Sequence, residues 1–133
     1  MIDKELIKIA SNTENFGLIN KYTHFSKLKN PICGDEMKIY LIVEKDKIKK
    51  FKYQSQSCIF CQASVSLLSR KTTSKSVEKV KNFLQKADNY FKQRKNIFDK
   101  EWLEFDKIMN KNNISRKECL LLPLKAMLNA LNS

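Results

Sequence analysis

Two stretches, MKIYLIV (37–43) and IKKFKYQ (48–54), decide the fold that this sequence predicts. Both are rich in β-branched and aromatic residues, which pack well on a pleated surface and are typical of strands. The residues between them, EKDK (44–47), are polar and predict a turn, so the two stretches should pair as an antiparallel hairpin. The preceding stretch KYTHFSKLK (21–29) alternates weakly, and we interpret it as a third, short strand of the same sheet.

Helical spacing of apolar residues appears on both sides of this sheet. Before it, the segment 3–10 carries Leu6 and Ile9 at a spacing that predicts a short helix. After Cys58, apolar residues recur every three or four positions, which predicts several helices with buried stripes. The stripe residues are Phe60, Ala63, Leu67, Val77, Val80, Leu84, Ala87, Phe91, Phe98, Trp102, Phe105, Met109, Leu120, Leu124, Met127 and Leu131. A helix, a small antiparallel sheet and then packed helices make an α+β fold, and the length predicts one domain, residues 1–133.

Two residue types predict where helices begin. Ser76 is a predicted N-cap, because its hydroxyl can accept a first-turn backbone N–H, and Glu78 adds a favourable charge in that turn. Pro123 has no N–H and fits the first turn of a helix. It lies four residues after Cys119, so the last helix is predicted to begin close to Cys119.

The composition predicts a folded chain with a basic surface. Hydrophobic residues make up 42% of the chain, and no run of 18 apolar residues is present that could span a membrane. The net charge is +12, but only three of the 26 basic residues are Arg, the side chain that nucleic-acid recognition favours. We interpret most of the charge as a solvated Lys-rich face, with a docking surface for an acidic partner as the alternative. The N-terminus lacks the long apolar core of a secretory signal, so we expect a cytoplasmic protein with reduced thiols.

Cysteines occur in three separate contexts. The stretch SCIFCQAS (57–64) contains C-x-x-C, which fits a redox dithiol, half of a zinc site, or two buried thiols one helical turn apart. NPICGDEM (30–37) places Cys33 and Asp35 two residues apart, and the Gly between them lets the backbone turn so that both side chains can face one point. Cys58 and Cys119 each lie near a predicted helix start, where backbone N–H groups favour thiolate. Zinc and iron–sulfur sites both accept such a mixture of sulfur and oxygen ligands.

These contexts resemble a known family, the NifU N-terminal, IscU and SufU family of iron–sulfur assembly proteins. The resemblance is carried by NPICGD, a strand hairpin, the stretch CIFCQAS (58–64) before an apolar helix, and the closing RKECLLLPLKAML. It covers nearly the whole chain and implies a single site whose four members fall on the family's positions in order. They are Cys33, Asp35, Cys58 and Cys119.

The resemblance is closer to the SufU type. Glu118 stands where IscU-type proteins carry a His, Cys119 lies 61 positions after Cys58, and Arg116 matches an arginine that SufU-type proteins use near their partner. This implies a bound zinc ion and a role as persulfide acceptor for a pyridoxal-phosphate-dependent cysteine desulfurase. It also implies that Cys33 accepts the sulfur while a partner side chain replaces it on zinc, and that Arg116 helps to dock the partner. The chain departs from the family at Ser57, where a Gly is usual.

Three alternatives remain open from the sequence. The first is a scaffold on which a [2Fe–2S] cluster, or iron, is held and passed to a downstream scaffold or apo-protein, since three thiolates and a carboxylate suit a labile cluster. The second is a basic, zinc-stapled module for nucleic acid, but only the charge favours it, because the ligand spacing does not match finger patterns. The third concerns Cys61, which is either a thiol packed in the helix or an auxiliary ligand. Whether the protein is an enzyme or a non-enzymatic scaffold is also left open.

Overall fold

The computed structural model of the protein describes residues 3–91 and 97–133. Within these ranges a short helix precedes a three-stranded sheet, and the remaining helices follow the sheet, so the predicted α+β fold is confirmed. The elements are α1 (Lys4–Ala10), β1 (His24–Lys29), β2 (Glu36–Glu44), β3 (Lys47–Gln56), α2 (Ile59–Thr72), α3 (Val77–Gln85) and α4 (Lys117–Asn132), with 3₁₀ helices at Ala87–Asn89, Lys100–Lys107 and Lys111–Arg116. Among the described residues, no helix combines the length and apolar character needed to cross a membrane.

The sheet is antiparallel in the order β1-β2-β3. The hairpin turn is tighter than predicted, because the strands extend to Glu44 and Lys47 and only Lys45 and Asp46 remain between them. Both turn residues have positive φ, 51° and 61°, which is the left-handed pair that a two-residue hairpin turn requires. The weakly alternating stretch 21–29 does form a strand, β1, which pairs with β2 along its whole length.

One face of the sheet carries the core. Met37, Ile39 and Leu41 alternate along β2 and are completely buried. They lie on the face that α4 packs against, while α2 packs against β3. The opposite face of the sheet is less buried, and it carries Lys38 together with an aromatic cluster of Tyr22, Phe25 and Tyr40. This arrangement places the start of β2, the end of β3 and the start of α4 at the same end of the molecule.

Helix α2 runs through the middle of the molecule, and even its hydroxyl side chains are buried. Ser64 Oγ donates a hydrogen bond of 2.6 Å to the carbonyl of Leu120, and Ser66 Oγ donates one of 2.6 Å to the carbonyl of Asn12. These bonds satisfy polar groups that would otherwise be costly to bury. They also join α2 to α4 and to the loop after α1, and so they fix the position of the first half of α2 relative to these segments.

The segment 98–109 is buried as predicted but is not an α-helix. Its predicted stripe residues are all buried: Phe98, Trp102, Phe105 and Met109. The backbone over Lys100–Lys107 is a 3₁₀ helix, and Trp102 stacks on Phe83 with 4.3 Å between ring centroids. Similarly, α3 begins after the predicted N-cap Ser76 but ends at Gln85, so the stripe residues Ala87 and Phe91 are buried beyond its end.

Helix α4 begins at Lys117, two residues before Cys119, so the predicted start close to Cys119 is confirmed. The placement of Pro123 in the first turn was wrong. Pro123 lies in the helix interior, where it offers no N–H to the carbonyl of Cys119 one turn earlier. The neighbouring carbonyl of Leu120 accepts the hydrogen bond from Ser64. This contact with α2 helps to hold the proline-containing turn that carries Cys119.

Candidate metal centre

The loop before β2 is closed by Asn30, which is buried. The Asn30 side-chain oxygen accepts a 2.9 Å hydrogen bond from the N–H of Ile32, and its carbonyl accepts one of 2.8 Å from the N–H of Gly34. The N–H of Asn30 donates to the carbonyl of Asp35 at 2.8 Å. Gly34 has φ +79°, a conformation that favours glycine, so the turn predicted at this position is present. As a result Cys33 is exposed, whereas Asp35 turns inward and is buried.

Cys58 occupies the strand-to-helix junction that its sequence context predicted. It is the N-cap residue of α2 and is partly buried. Its backbone N–H donates a long hydrogen bond of 3.4 Å to Oδ2 of Asp35. The Asp35 carboxylate therefore links the start of β2 to the segment that follows β3. The sheet pairing of Glu36 with Gln56 holds the same two strand ends side by side.

Cys119 approaches from the opposite side, in the first turn of α4. It is only 6% exposed, and its Sγ lies 4.0 Å from Sγ of Cys33. Two sulfur ligands of a tetrahedral zinc ion with bonds of about 2.3 Å are separated by roughly 3.8 Å. The spacing of the two thiols therefore fits a shared metal ion.

Three of the four predicted site residues form a tight cluster. The ligand atoms of Cys33, Asp35 and Cys119 all lie within 4.8 Å of one another. The Cys58 thiol does not belong to that group of three, although its backbone is bonded to Asp35. Two sulfurs and one carboxylate form a donor set that zinc and iron both accept, so the cluster could hold a metal ion.

Burial controls the protonation of the inner thiol. It raises the pKa of Cys119 to about 12, and the neighbouring thiols of Cys58 and Cys33 add to the rise. A thiol with such a pKa is protonated at neutral pH, so a metal ion that binds Cys119 must displace its proton.

Cys61 lies one turn beyond Cys58 and is completely buried in the core. Burial is the main cause that raises its pKa, and a hydrogen bond with Ser57 partly opposes the rise. All four cysteines are free thiols, so the C-x-x-C stretch forms no disulfide in this structure. This environment is that of a packed thiol, and the auxiliary role predicted for Cys61 remains a proposal.

Arg116 lies at the end of the 3₁₀ helix that leads into α4, and its side chain is exposed. Its guanidinium sits 5.2 Å from the ring centroid of Phe60, in a cation–π contact. Phe60 follows Cys58 by two residues, so this contact connects the two helix starts near the site. From its helical spacing Phe60 was predicted only as a core residue, and Asn30 was not predicted to contribute to the site. The one signal for Asn30 was its place before Pro31 in NPICGD.

Together, the fold and the cluster define a class: a small α+β protein with one exposed thiol, one buried thiol and a buried carboxylate at one end of its sheet. The sequence model of the family described as NifU-like N terminal domain matches residues 1–94, and the chain belongs to this family. The resemblance seen in the sequence is therefore confirmed.

Individual relatives agree with this assignment. The chain is 31% identical to the iron–sulfur cluster assembly scaffold protein IscU of Thermotoga maritima, over 98% of this chain and 93% of that protein. Its fold is similar to that of the N-terminal NifU-like protein from Brucella abortus, with a TM-score of 0.87, 16% identity, and coverage of 98% and 91%. It is also similar to a putative SUF-system scaffold protein from Fervidobacterium islandicum, with a TM-score of 0.78, 22% identity, and coverage of 98% and 96%.

Proposed function

We propose that this protein serves iron–sulfur cluster assembly by accepting sulfur from a pyridoxal-phosphate-dependent cysteine desulfurase, with Cys33 as the acceptor. The observation that carries the proposal is that the three residues of the cluster differ in solvent exposure. Cys33 is exposed, whereas Asp35 is 8% and Cys119 is 6% exposed. Of these three residues, only Cys33 is exposed to a donor that arrives from solvent. The IscU relative supports the general role, since it is named as an assembly scaffold.

The proposed reaction is a sulfur transfer between two cysteines. The Cys33 thiolate attacks the terminal sulfur of the donor persulfide, and the donor S–S bond breaks. The donor cysteine leaves as a thiolate with the bonding electron pair, and a new S–S bond joins the transferred sulfur to Cys33. The number of S–S bonds is unchanged, so the step needs neither an oxidant nor a reductant.

The donor set fits a resident zinc ion, which Cys33, Asp35, Cys58 and Cys119 would hold. When bound, zinc favours the thiolate form of its sulfur ligands and so offsets the effect of burial on Cys119. Cys33 must leave the metal to act as a nucleophile, and its position on an exposed loop allows this more easily than the packed position of Cys119. Asp35 and Cys119 remain as the buried ligands of the site.

A second candidate function is a scaffold on which a [2Fe–2S] cluster is built as cargo and passed to downstream apo-proteins. The names of the IscU and SUF-system relatives favour it. A carboxylate among thiolates also suits a cluster that must be released. Elemental analysis of protein purified without chelator separates the two candidates. Stoichiometric zinc in a colourless protein favours sulfur acceptance, and a brown iron-containing protein that loads apo-ferredoxin favours the scaffold.

The direct test of sulfur acceptance is sulfide release by the cognate desulfurase in the presence of cysteine and dithiothreitol. Adding the wild-type protein should accelerate release, and Cys33→Ser should abolish the acceleration. Cys61→Ala serves as the matched control, because it removes a buried thiol and should retain the acceleration. Release that is equally fast with and without the wild-type protein would reject the proposed function.

A further inference from the structure

The tip of the Cys33 loop is an uncharged, exposed segment on a strongly basic protein. Residues 31–34, Pro-Ile-Cys-Gly, are all exposed and carry no charge, whereas 30% of the chain is charged. Ile32 is 87% exposed. The other exposed large hydrophobic residues among the described ranges lie between 46% and 55%. Ile32 is therefore outside the ordinary range of exposed apolar side chains in this protein.

This exposure occurs on an ordered turn. Asn30 bonds to the N–H of Ile32, to the N–H of Gly34 and to the carbonyl of Asp35. The backbone that bears Ile32 is thus fixed by the same hydrogen bonds that position Cys33 and Asp35. An exposed apolar side chain on an ordered backbone suits an anchor in a protein–protein interface, since little ordering of the backbone is needed when it is buried.

Ile32 and Cys33 are consecutive, so their Cα atoms are about 3.8 Å apart. If the Ile32 side chain is buried in a partner protein, the thiol of Cys33 therefore lies next to the same partner surface. Two exposed cations lie close in the sequence to the site residues, Lys29 before the loop and Arg116 three residues before Cys119. Charges of this kind are typical of the rim of an interface rather than of its centre.

We propose that residues 31–34 insert into an apolar cleft of the sulfur-donor protein, with Ile32 as the anchor that seats Cys33 beside the donor persulfide. The cleft is lined by apolar side chains and has acidic residues at its mouth, facing Lys29 and Arg116. This inference rests on the proposed function and deepens it, because it assigns the docking contact of the same reaction. Seating the anchor removes water from around the two sulfurs and fixes their approach, which favours the transfer.

The test compares Ile32→Ser with Ile7→Ser. Ile7 is the matched control, because it is an isoleucine on α1 that is 50% exposed. Serine leaves the backbone bonds and the neutral charge of the tip intact, so zinc content and the circular dichroism spectrum should not change. The initial rate of sulfide release is measured with the cognate desulfurase, cysteine and dithiothreitol while the concentration of this protein is varied.

For Ile32→Ser we expect the KM for this protein to rise about tenfold or more, with kcat at saturation within about twofold of wild type. Ile32→Leu keeps an apolar side chain and should retain the wild-type KM, and Ile7→Ser should leave the KM unchanged. A KM for Ile32→Ser within about twofold of wild type, with acceleration by the wild-type protein intact, would overturn the anchor and leave the proposed function standing.

Binding without turnover separates the two ideas further. Fluorescence anisotropy of labelled protein titrated with the desulfurase, in the absence of cysteine, measures docking alone. If the wild type binds but does not accelerate sulfide release, the proposed function fails, and an unchanged Kd for Ile32→Ser then also rejects the anchor. If the wild type does not bind the desulfurase, both proposals are wrong.

Discussion

The two sides of the candidate metal centre hold their ligands in different ways. On one side, the loop from Asn30 to Asp35 is held by hydrogen bonds, and its cysteine is exposed. On the other side, the first turn of α4 is held by packing, and Cys119 is buried among apolar residues. Hydrogen-bonded loops can open locally, whereas a packed helix turn moves only if the core is disturbed. This difference is the reason we propose the loop cysteine as the reactive thiol and the helix cysteine as the lasting metal ligand.

The largest expected effect disturbs the packed side. Leu120 is completely buried beside Cys119, and Leu120→Ala should lower the free energy of unfolding by about 2–5 kcal/mol. Urea denaturation followed by circular dichroism measures this loss. Leu103→Ala is the matched control, because Leu103 is 55% exposed and its loss should change stability by only about 0.5 kcal/mol. Equal losses in the two variants would show that packing does not hold the helix side.

The next effect disturbs the hydrogen-bonded side. Asn30→Ala removes the side-chain acceptor of the Ile32 N–H, so the free energy of unfolding should fall by about 0.5–1.5 kcal/mol. The acceleration of sulfide release should also fall, even where the variant remains folded, because the loop positions both Cys33 and Asp35. The same denaturation assay and the sulfide-release assay measure the two losses. Full sulfur acceptance by Asn30→Ala would show that the hydrogen-bonded turn is not needed to position the acceptor thiol.

The buried thiol also predicts how metal binding depends on pH. Because the pKa of Cys119 is about 12, this thiol is protonated in the metal-free protein at neutral pH and must lose its proton when zinc binds. Zinc affinity should therefore increase with pH between 6 and 8, by roughly tenfold per unit for each proton released. Competition with a chromophoric chelator measures the affinity, and Cys119→Ser should reduce the slope of its logarithm against pH by up to about one proton. An affinity independent of pH in the wild type would place Cys119 outside the metal site.

The smallest effect concerns the contact between the two helix starts. Arg116→Gln removes the cation–π contact with Phe60 and should lower the free energy of unfolding by at most about 0.5–1 kcal/mol. Docking of the desulfurase should weaken and lose part of its salt dependence, since a rim charge is removed. Anisotropy at low and moderate salt measures both changes. Lys50→Gln is the control, because it removes an exposed cation from β3 near the hairpin turn, at the end of the sheet away from the site.

Much of the fold could be predicted because its strands alternate and its apolar stripes repeat. The stretches 37–43 and 48–54 lie inside β2 and β3. The stripe residues from Phe60 to Leu131 are buried except Val77, which is partly buried against the core. The 3₁₀ conformation over Lys100–Lys107 could not be predicted, since apolar spacing of three or four fits both kinds of helix. The interior position of Pro123 was missed because a proline is tolerated in a helix when packing and a neighbouring hydroxyl hold the turn.

The site was predictable in its members but not in its detailed geometry. The family resemblance implied one site of Cys33, Asp35, Cys58 and Cys119. The structure brings the ligand atoms of all but Cys58 into one tight cluster. The offset of the Cys58 thiol depends on side-chain direction at an N-cap, which no spacing in the sequence encodes. The bonds of Asn30 were equally hidden, because they join groups within one short loop and leave no periodic signal.

The central claim is that Cys33 receives the sulfur while Cys119 remains a buried ligand. Mass spectrometry of peptides, after a brief reaction of the zinc-loaded protein with desulfurase and cysteine, tests it most directly. Free thiols and persulfides are alkylated before digestion so that the added sulfur atom is fixed to its cysteine. The account predicts one added sulfur on Cys33 and none on Cys119 or Cys61. A sulfur found first on Cys119 or Cys61, or no added sulfur on any cysteine, would contradict it.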